Sequence, residues 1–318
     1  MSHYQFVGVD VAKDKFDVAL QLNKSIHLEC FSNDKKGYQA FSKWLAKFTT
    51  QPWVCMEATG HYSELIADYL SAHHIRVSVV NPLQIKSFAR AKLSRNKTDQ
   101  IDARLIANYC EHMNPRVFVP RPESHKKMKE LSNLLDVLKM QHTQLSNQLG
   151  CVQSHEAQNE ITKIIKLLTK RIDKIESLIA EVIKEDENLN RNLNLMTSIK
   201  GVGKLTAYKV LSHVPHMHNF RNAKQFAAFI GISPRQHQSG NYQGKTTISR
   251  LGNSALRKSF YMAAMVAIRH NTLIAPFVSR LKQKGKAPKS IICAVMRKLA
   301  HFVFGVLKNK RPFDVSYA

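Results

Sequence analysis

The chain has 318 residues, is 44% hydrophobic, and carries 48 Lys and Arg against 23 Asp and Glu, a formal net charge of +25 at pH 7. That length supports two domains and a sizeable core, and the apolar content is ordinary for a globular protein rather than a disordered one. The charge excludes the near-neutral balance of a typical metabolic enzyme and points to a polyanionic partner, nucleic acid above all.

Residues 1–120 alternate strand-like and helix-like segments. Three short strands are expected at 4–11, 16–20 and 25–31, close enough together for antiparallel hairpins. A helix follows over Lys35–Phe48, then a strand at 53–57, a helix at 62–73, a strand at 76–81 and two more helices. The Asn81-Pro82 step marks a boundary. The pattern describes an α/β ribonuclease-H-like (RuvC-like) domain, though other α/β folds fit it too. Trp44 and Trp53 read as core.

Residues 121–195 change period. Met128, Leu131, Leu135, Leu138, His142, Leu145 and Leu149 step by three and four, as do Ile161, Ile165, Leu168, Ile172, Ile175, Ile179 and Val182. These are heptad seams on two helices of a coiled-coil hairpin, with the turn expected around 154–159. The hairpin serves equally well as a spacer or as a dimer contact.

Residues 196–318 hold nearly all the charge excess: 21 Lys and Arg against the single acid Asp314, or +20. Most of this region reads as helical, with loops at 213–219, 233–244 and 284–289. His213, His216 and His218 have metal-like spacing, but no cysteine or acid lies near them in sequence, so a solvated or DNA-facing loop is expected. The apolar stretch 291–307 is broken by Arg297 and Lys298 and is not expected to cross a membrane. Five cysteines, odd in number and without a CxxC pair, fit free thiols in a reducing compartment. The N-terminal MSHYQFVGVD lacks a signal peptide's apolar core, so a cytoplasmic protein is expected.

Four acids stand where chemistry is usually sited. Asp10 ends the apolar run FVGVD, and Glu57 ends WVCME. Asp99 and Asp102 open a predicted helix, and their i, i+3 spacing puts them on one face, with Thr98 or Asp99 as its N-cap. If these acids converge, repulsion raises their pKa values unless cations compensate. Oxygen-only ligands favour Mg²⁺ or Mn²⁺ over zinc. Two such ions suit phosphodiester displacement.

The segments VGVDVAKDKFDVAL, CMEATGHY, VVNP and RNKTDQIDARLIA resemble the DEDD-type insertion-sequence transposases, a family that includes Piv-type DNA invertases and bridge-RNA-guided recombinases. SIKGVGKLTAYKVL, QFAAFIGISPRQHQSG, RLGNSALRKSFYMAAM and KNKRPFD extend the resemblance, in order, to Asp314. It implies that Asp10, Glu57, Asp99 and Asp102 are catalytic metal ligands. It also implies that Ser239 is a second catalytic element, attacking DNA to form a phosphoserine link. A composite site between subunits of a dimer or tetramer and a structured non-coding bridge RNA as guide follow from the same likeness. So does a nucleoid-associated bacterial setting.

Read without that likeness, Ser239 is a loop serine. A serine hydroxyl needs activation, by bound metal or, less readily, by His237. The SIKGVGK segment is similar to the turn of a helix-hairpin-helix module, with Gly201 and Gly203 permitting a tight turn and Lys200 and Lys204 adding charge; an ordinary helical packing joint reads the same way. Arg235, Lys245, Arg250 and Arg257 complete the candidate nucleic-acid contacts. Two other functions fit the same residues: a hydrolytic RuvC-like junction-resolving nuclease, and a non-enzymatic nucleic-acid-binding protein.

Overall fold

The computed structural model describes residues 4–22, 25–93, 98–235, 238–239, 242–244, 246–249 and 251–314. They form two compact units, 1–120 and 121–318.

In the first unit the chain runs β1 (Gln5–Val11), β2 (Lys15–Leu22), β3 (Ser25–Ser32), α1 (Lys35–Phe48), β4 (Pro52–Glu57), α2 (His61–Ala72), β5 (Arg76–Val80), α3 (Pro82–Ala91) and α4 (Asp99–Met113). The five strands make one mixed sheet in the order β3-β2-β1-β4-β5. β1 pairs antiparallel with β2 and parallel with β4, which in turn pairs parallel with β5. Short polar side chains start the helices where the sequence changes period. Asp34 accepts the Gly37 N–H, Asn81 accepts the Leu83 N–H ahead of Pro82, and Thr98 accepts the Ile101 N–H.

The two-residue period of the strands divides the sheet into two faces. Val7, Val9 and Val11 of β1 and Val54 and Met56 of β4 pack with Phe41 and Leu45 of α1 and Ile66 and Leu70 of α2. On the other face, Trp53 and Cys55 of β4 pack with Ile85 of α3 and Ile106, Tyr109 and Cys110 of α4. Phe6 of β1 joins that second cluster. Trp53 is thus core, and Trp44 lies half-buried against the first cluster. All five cysteines are free thiols.

One contact fixes where α4 lies. A Cβ on Gly8 would fall 1.9 Å from the Ala103 carbonyl oxygen and 2.4 Å from the Ala107 nitrogen. Glycine on β1 and alanines one turn apart on α4 therefore let the helix backbone rest directly on the strand.

The second unit begins with α5 (Glu123–Leu149) and α6 (His155–Glu185), followed by α7 (Glu187–Thr197), α8 (Lys204–His213) and α9 (Ala223–Ile230). The hairpin turn falls at 150–154, earlier than expected, because Ser154 accepts the Ala157 N–H and caps α6 at His155. Four two-residue strands follow: β6 (Pro234–Arg235), β7 (Gln238–Ser239), β8 (Tyr242–Gln243) and β9 (Thr247–Ile248). β6 pairs with β9, and β7 with β8. The chain ends in α10 (Ser254–His270), α11 (Ile274–Gln283) and α12 (Pro288–Asn309). One apolar core unites Met128, Ile179 and Val182 of the hairpin with Phe226, Phe260, Val295 and Leu299 of the later helices. α12 is long and apolar enough to cross a membrane by length and composition, yet it turns Val295, Leu299, Val303 and Leu307 into this core.

Candidate metal centre and nucleic-acid interface

Strand parity assembles the acids. Gly8 and Asp10 share the β1 face that meets α4, and Glu57 follows Trp53 and Cys55 on the same face of β4. β1 and β4 run parallel with Val9 opposite Met56, so Asp10 and Glu57 come next along neighbouring strands. Beyond Glu57 the chain turns away: the Ala58 N–H donates to the Val80 carbonyl and the Thr59 N–H to Ser63 Oγ. Because α4 rests on Gly8, its first turn brings Asp99 and Asp102 to that end of β1. Thr98 caps the turn, and the helix N-terminus favours the two acids there.

The four acids share one field. Asp10 is pushed up to about 6, first by burial and then by the charges of Asp102, Asp99, Glu57 and Asp17. Among the described residues, no three His, Cys, Asp or Glu side chains stand close enough to enclose a metal ion. Asp99 Oδ2 is instead engaged by Lys15 Nζ at 3.0 Å, and the same ammonium lies 3.0 Å from Asp17 Oδ2. An all-carboxylate set in which burial first, and then repulsion, pushes one member up to about 6 suits a hard divalent cation.

Sequence reasoning does not single out Lys15 and Asp17. Their signal is the hairpin itself: the turn at 12–14, closed by the Ala12 N–H donating to the Lys15 carbonyl, sets Val11 opposite Phe16 and Asp10 opposite Asp17.

The basic candidates lie in the second unit. Lys200 and Lys204 are exposed on either side of the α7–α8 turn. Gly201 takes φ +105°, and a Cβ there would meet Ala267 Cβ at 2.7 Å, so glycine serves both the turn and its packing on α10. Asn271 Nδ2 donates to the Lys200 carbonyl at 2.7 Å and fixes the turn. Gly203 begins α8 with no side-chain cap, leaving its first-turn N–H groups for another acceptor.

Ser239 is exposed in β7, paired with Tyr242, and Arg235 is exposed in β6. Arg257 is engaged within the fold, since its Nη1 donates to the Ile230 carbonyl at 3.2 Å, at the end of α9. His237, Lys245 and Arg250 lie outside the described residues. His213 is pushed down to about 4 by burial and then by Lys209, Arg121 and Lys129, and its Nδ1 bonds Asn253. The rings of His216 and His218 meet at a tilt, with centroids 5.3 Å apart.

Residues 7–153 match a family described as transposase, and residues 193–279 match the transposase IS116/IS110/IS902 family. The pilin gene-inverting protein of Moraxella bovis is 31% identical across 97% of each chain. The chain belongs to this transposase family. The corresponding Moraxella lacunata protein is also 31% identical, and the transposase for insertion sequence element IS1111A of Coxiella burnetii is 25% identical across 85% of this chain and 79% of its own. Membership makes the protein a DNA-acting enzyme of the transposase and recombinase class. Within the transposase, the four acids fall in the first matched segment, and the α7–α8 turn and Ser239 in the second.

Proposed function

We propose that the protein cuts and exchanges DNA strands at the ends of an insertion sequence, or inverts the DNA between two sites. Asp10, Glu57, Asp99 and Asp102 would hold Mg²⁺ or Mn²⁺. The observation that carries this reading is the strand register and the seating of α4 on Gly8, which bring the acids to one end of β1 and β4, where burial and then the neighbouring charges raise Asp10 to about 6. The strand order β3-β2-β1-β4-β5, with only the β2 direction reversed against β1, supports a ribonuclease-H-like (RuvC-like) first unit. Bound at these carboxylates, a divalent ion supplies charge neutralisation for displacement at a phosphodiester.

In this scheme Ser239 is the nucleophile. Its Oγ bonds to phosphorus while a deoxyribose oxygen leaves, taking up the serine's proton. One phosphoester replaces another, so the link can be reversed when strands are rejoined. Lys200, Lys204 and Arg235 contact phosphates, which position nucleic acid without choosing its sequence. A structured non-coding RNA that pairs with donor and target DNA supplies the choice. The seam toward the hairpin turn, half-buried at Leu145 and Leu149 of α5 and at Ile165 and Leu168 of α6, supports a dimer or tetramer.

The test combines the full-length chain, RNA transcribed from the sequence flanking its gene, Mg²⁺ and end-labelled DNA. A covalent protein–DNA adduct is expected in the wild type and none in Ser239→Ala. Asp10→Asn and Asp102→Asn are expected to lose about 10³-fold or more of adduct formation. Cutting of four-way junctions by Ser239→Ala, without any adduct, would replace the recombinase with a hydrolytic nuclease. Binding of RNA and DNA by the wild type with neither adduct nor cutting would leave only a nucleic-acid-binding protein.

A further inference from the structure

The acid cluster carries a cation of its own. Lys15 opens β2, and its Nζ lies 3.0 Å from Asp17 Oδ2 and 3.0 Å from Asp99 Oδ2. Lys15 and Asp17 are two residues apart on one strand and so share a face. The ladder sets Asp17 directly opposite Asp10. Asp17 is only 8% exposed, and like charges placed opposite each other on a ladder repel. Core packing does not demand an acid there, because Phe16 and Val18 on either side fill the opposite cluster. Asp17 therefore adds negative charge at a place that already holds too much.

Lys15 offsets that charge in a particular way. It joins a carboxylate of the sheet to a carboxylate of the first turn of α4, the two elements that would have to close around a metal ion. A single ammonium between them does electrostatically what a cation does. It also occupies an oxygen of Asp99 that a cation would need.

Resting on the reading of these acids as a divalent-cation site, we propose that Lys15 is a positioning residue that acts as the site's resident counter-ion. Without metal, Lys15 holds Asp99 against the sheet. Lys15 would yield Asp99 to a bound divalent ion and stay paired with Asp17. Asp17 is thus the anchor of the ammonium, placed to keep it near the site without donating to the metal. One consequence is that affinity for the ion is set lower than the acids alone would give. This arrangement also accounts for acids that feel one another strongly while, among the described residues, no three of them stand at ligand distance.

Mn²⁺ binding to the full-length chain, followed by the paramagnetic resonance of free Mn²⁺, tests this directly. Removing a unit positive charge a few ångströms from the ion is expected to tighten binding about 3- to 10-fold in Lys15→Met and in Lys15→Gln. Lys15→Arg keeps the charge and is expected to stay within about twofold of the wild type. Asp17→Asn leaves the ammonium to Asp99 alone and is expected to weaken binding several-fold. Unchanged or weaker binding in both Lys15→Met and Lys15→Gln would overturn the counter-ion role, since a purely structural lysine would lower affinity when removed. A wild-type chain that binds no Mn²⁺ would instead sink the metal site itself, an outcome separable from the first.

Discussion

Two charged side chains, a buried one in the second unit and a half-buried one in the first, are treated in opposite ways. In the second unit Lys209 is 7% exposed, and its Nζ donates to the Ser132 carbonyl at 2.8 Å and pairs with Asp136 at 2.5 Å. Burial pulls its pKa down, and Asp136 pulls it back up. In the first unit Asp10 faces Asp17 across the ladder and feels Asp102, Asp99 and Glu57, all of its own sign. Lys209 is complete within the fold and ties α8 to α5. Asp10 sits in a charge balance that the chain leaves for something else to finish. Buried charge with its partners supplied is architecture; buried charge among its like is a candidate for chemistry.

That contrast can be broken most forcefully through the backbone contact that brings the acids together. Gly8→Ala places a methyl against the Ala103 carbonyl and is expected to cost about 3 kcal/mol or more in urea unfolding. It should also weaken Mn²⁺ binding, although no acid has changed. If affinity survives the substitution, the seating of α4 on β1 does not control the site.

Lys209→Met is expected to cost about 2–3 kcal/mol, because the Ser132 carbonyl loses its donor and Asp136 its cation. Mn²⁺ affinity should not move. A change in affinity would blur the distinction between architectural and functional charge.

The smallest effect has the opposite sign. Asp10 in the folded chain titrates near 6, above its ordinary 3.8, so between those values the folded state holds more protons than the unfolded one. Stability therefore falls as pH rises through that window and levels off above about 6. Asp10→Asn removes the charge and is expected to gain about 1 kcal/mol at pH 7.5 in chelator, screening by water keeping the figure modest. The gain should vanish near pH 4. A loss of stability at pH 7.5 would mean that Asp10 is a satisfied group like Lys209.

Much of this is legible in the order of residues alone. Alternating apolar residues in 4–11 and the Lys35–Phe48 periodicity locate β1 and α1, because local period reflects which side of each element faces the core. The acids at strand ends are legible for the same reason. What the sequence hides depends on register and on distant partners. Asp17 joins the cluster only through the pairing that a three-residue turn imposes, and Lys15 through reach across to α4. Arg257 reads as a phosphate contact from its charge, and the sequence does not show that its Nη1 also donates to the Ile230 carbonyl, a partner 27 residues away. The hairpin turn lies earlier than its polar stretch suggests because one serine cap outweighs that stretch. Ser239 shows the limit most plainly: an exposed residue in a two-residue strand carries no local mark of nucleophilicity.

The two faces of β1 are served by different residues, and this separates a change at Asp10 from a change in the core. Val7, Val9 and Val11 keep their packing whatever stands at position 10, so an Asp10→Asn chain should remain a sound scaffold with its basic surface untouched. On the proposed reading of Asp10 as a metal ligand, such a chain would capture nucleic acid and hold it uncut, making it a ready tool for isolating the assembled complex before the first strand is broken.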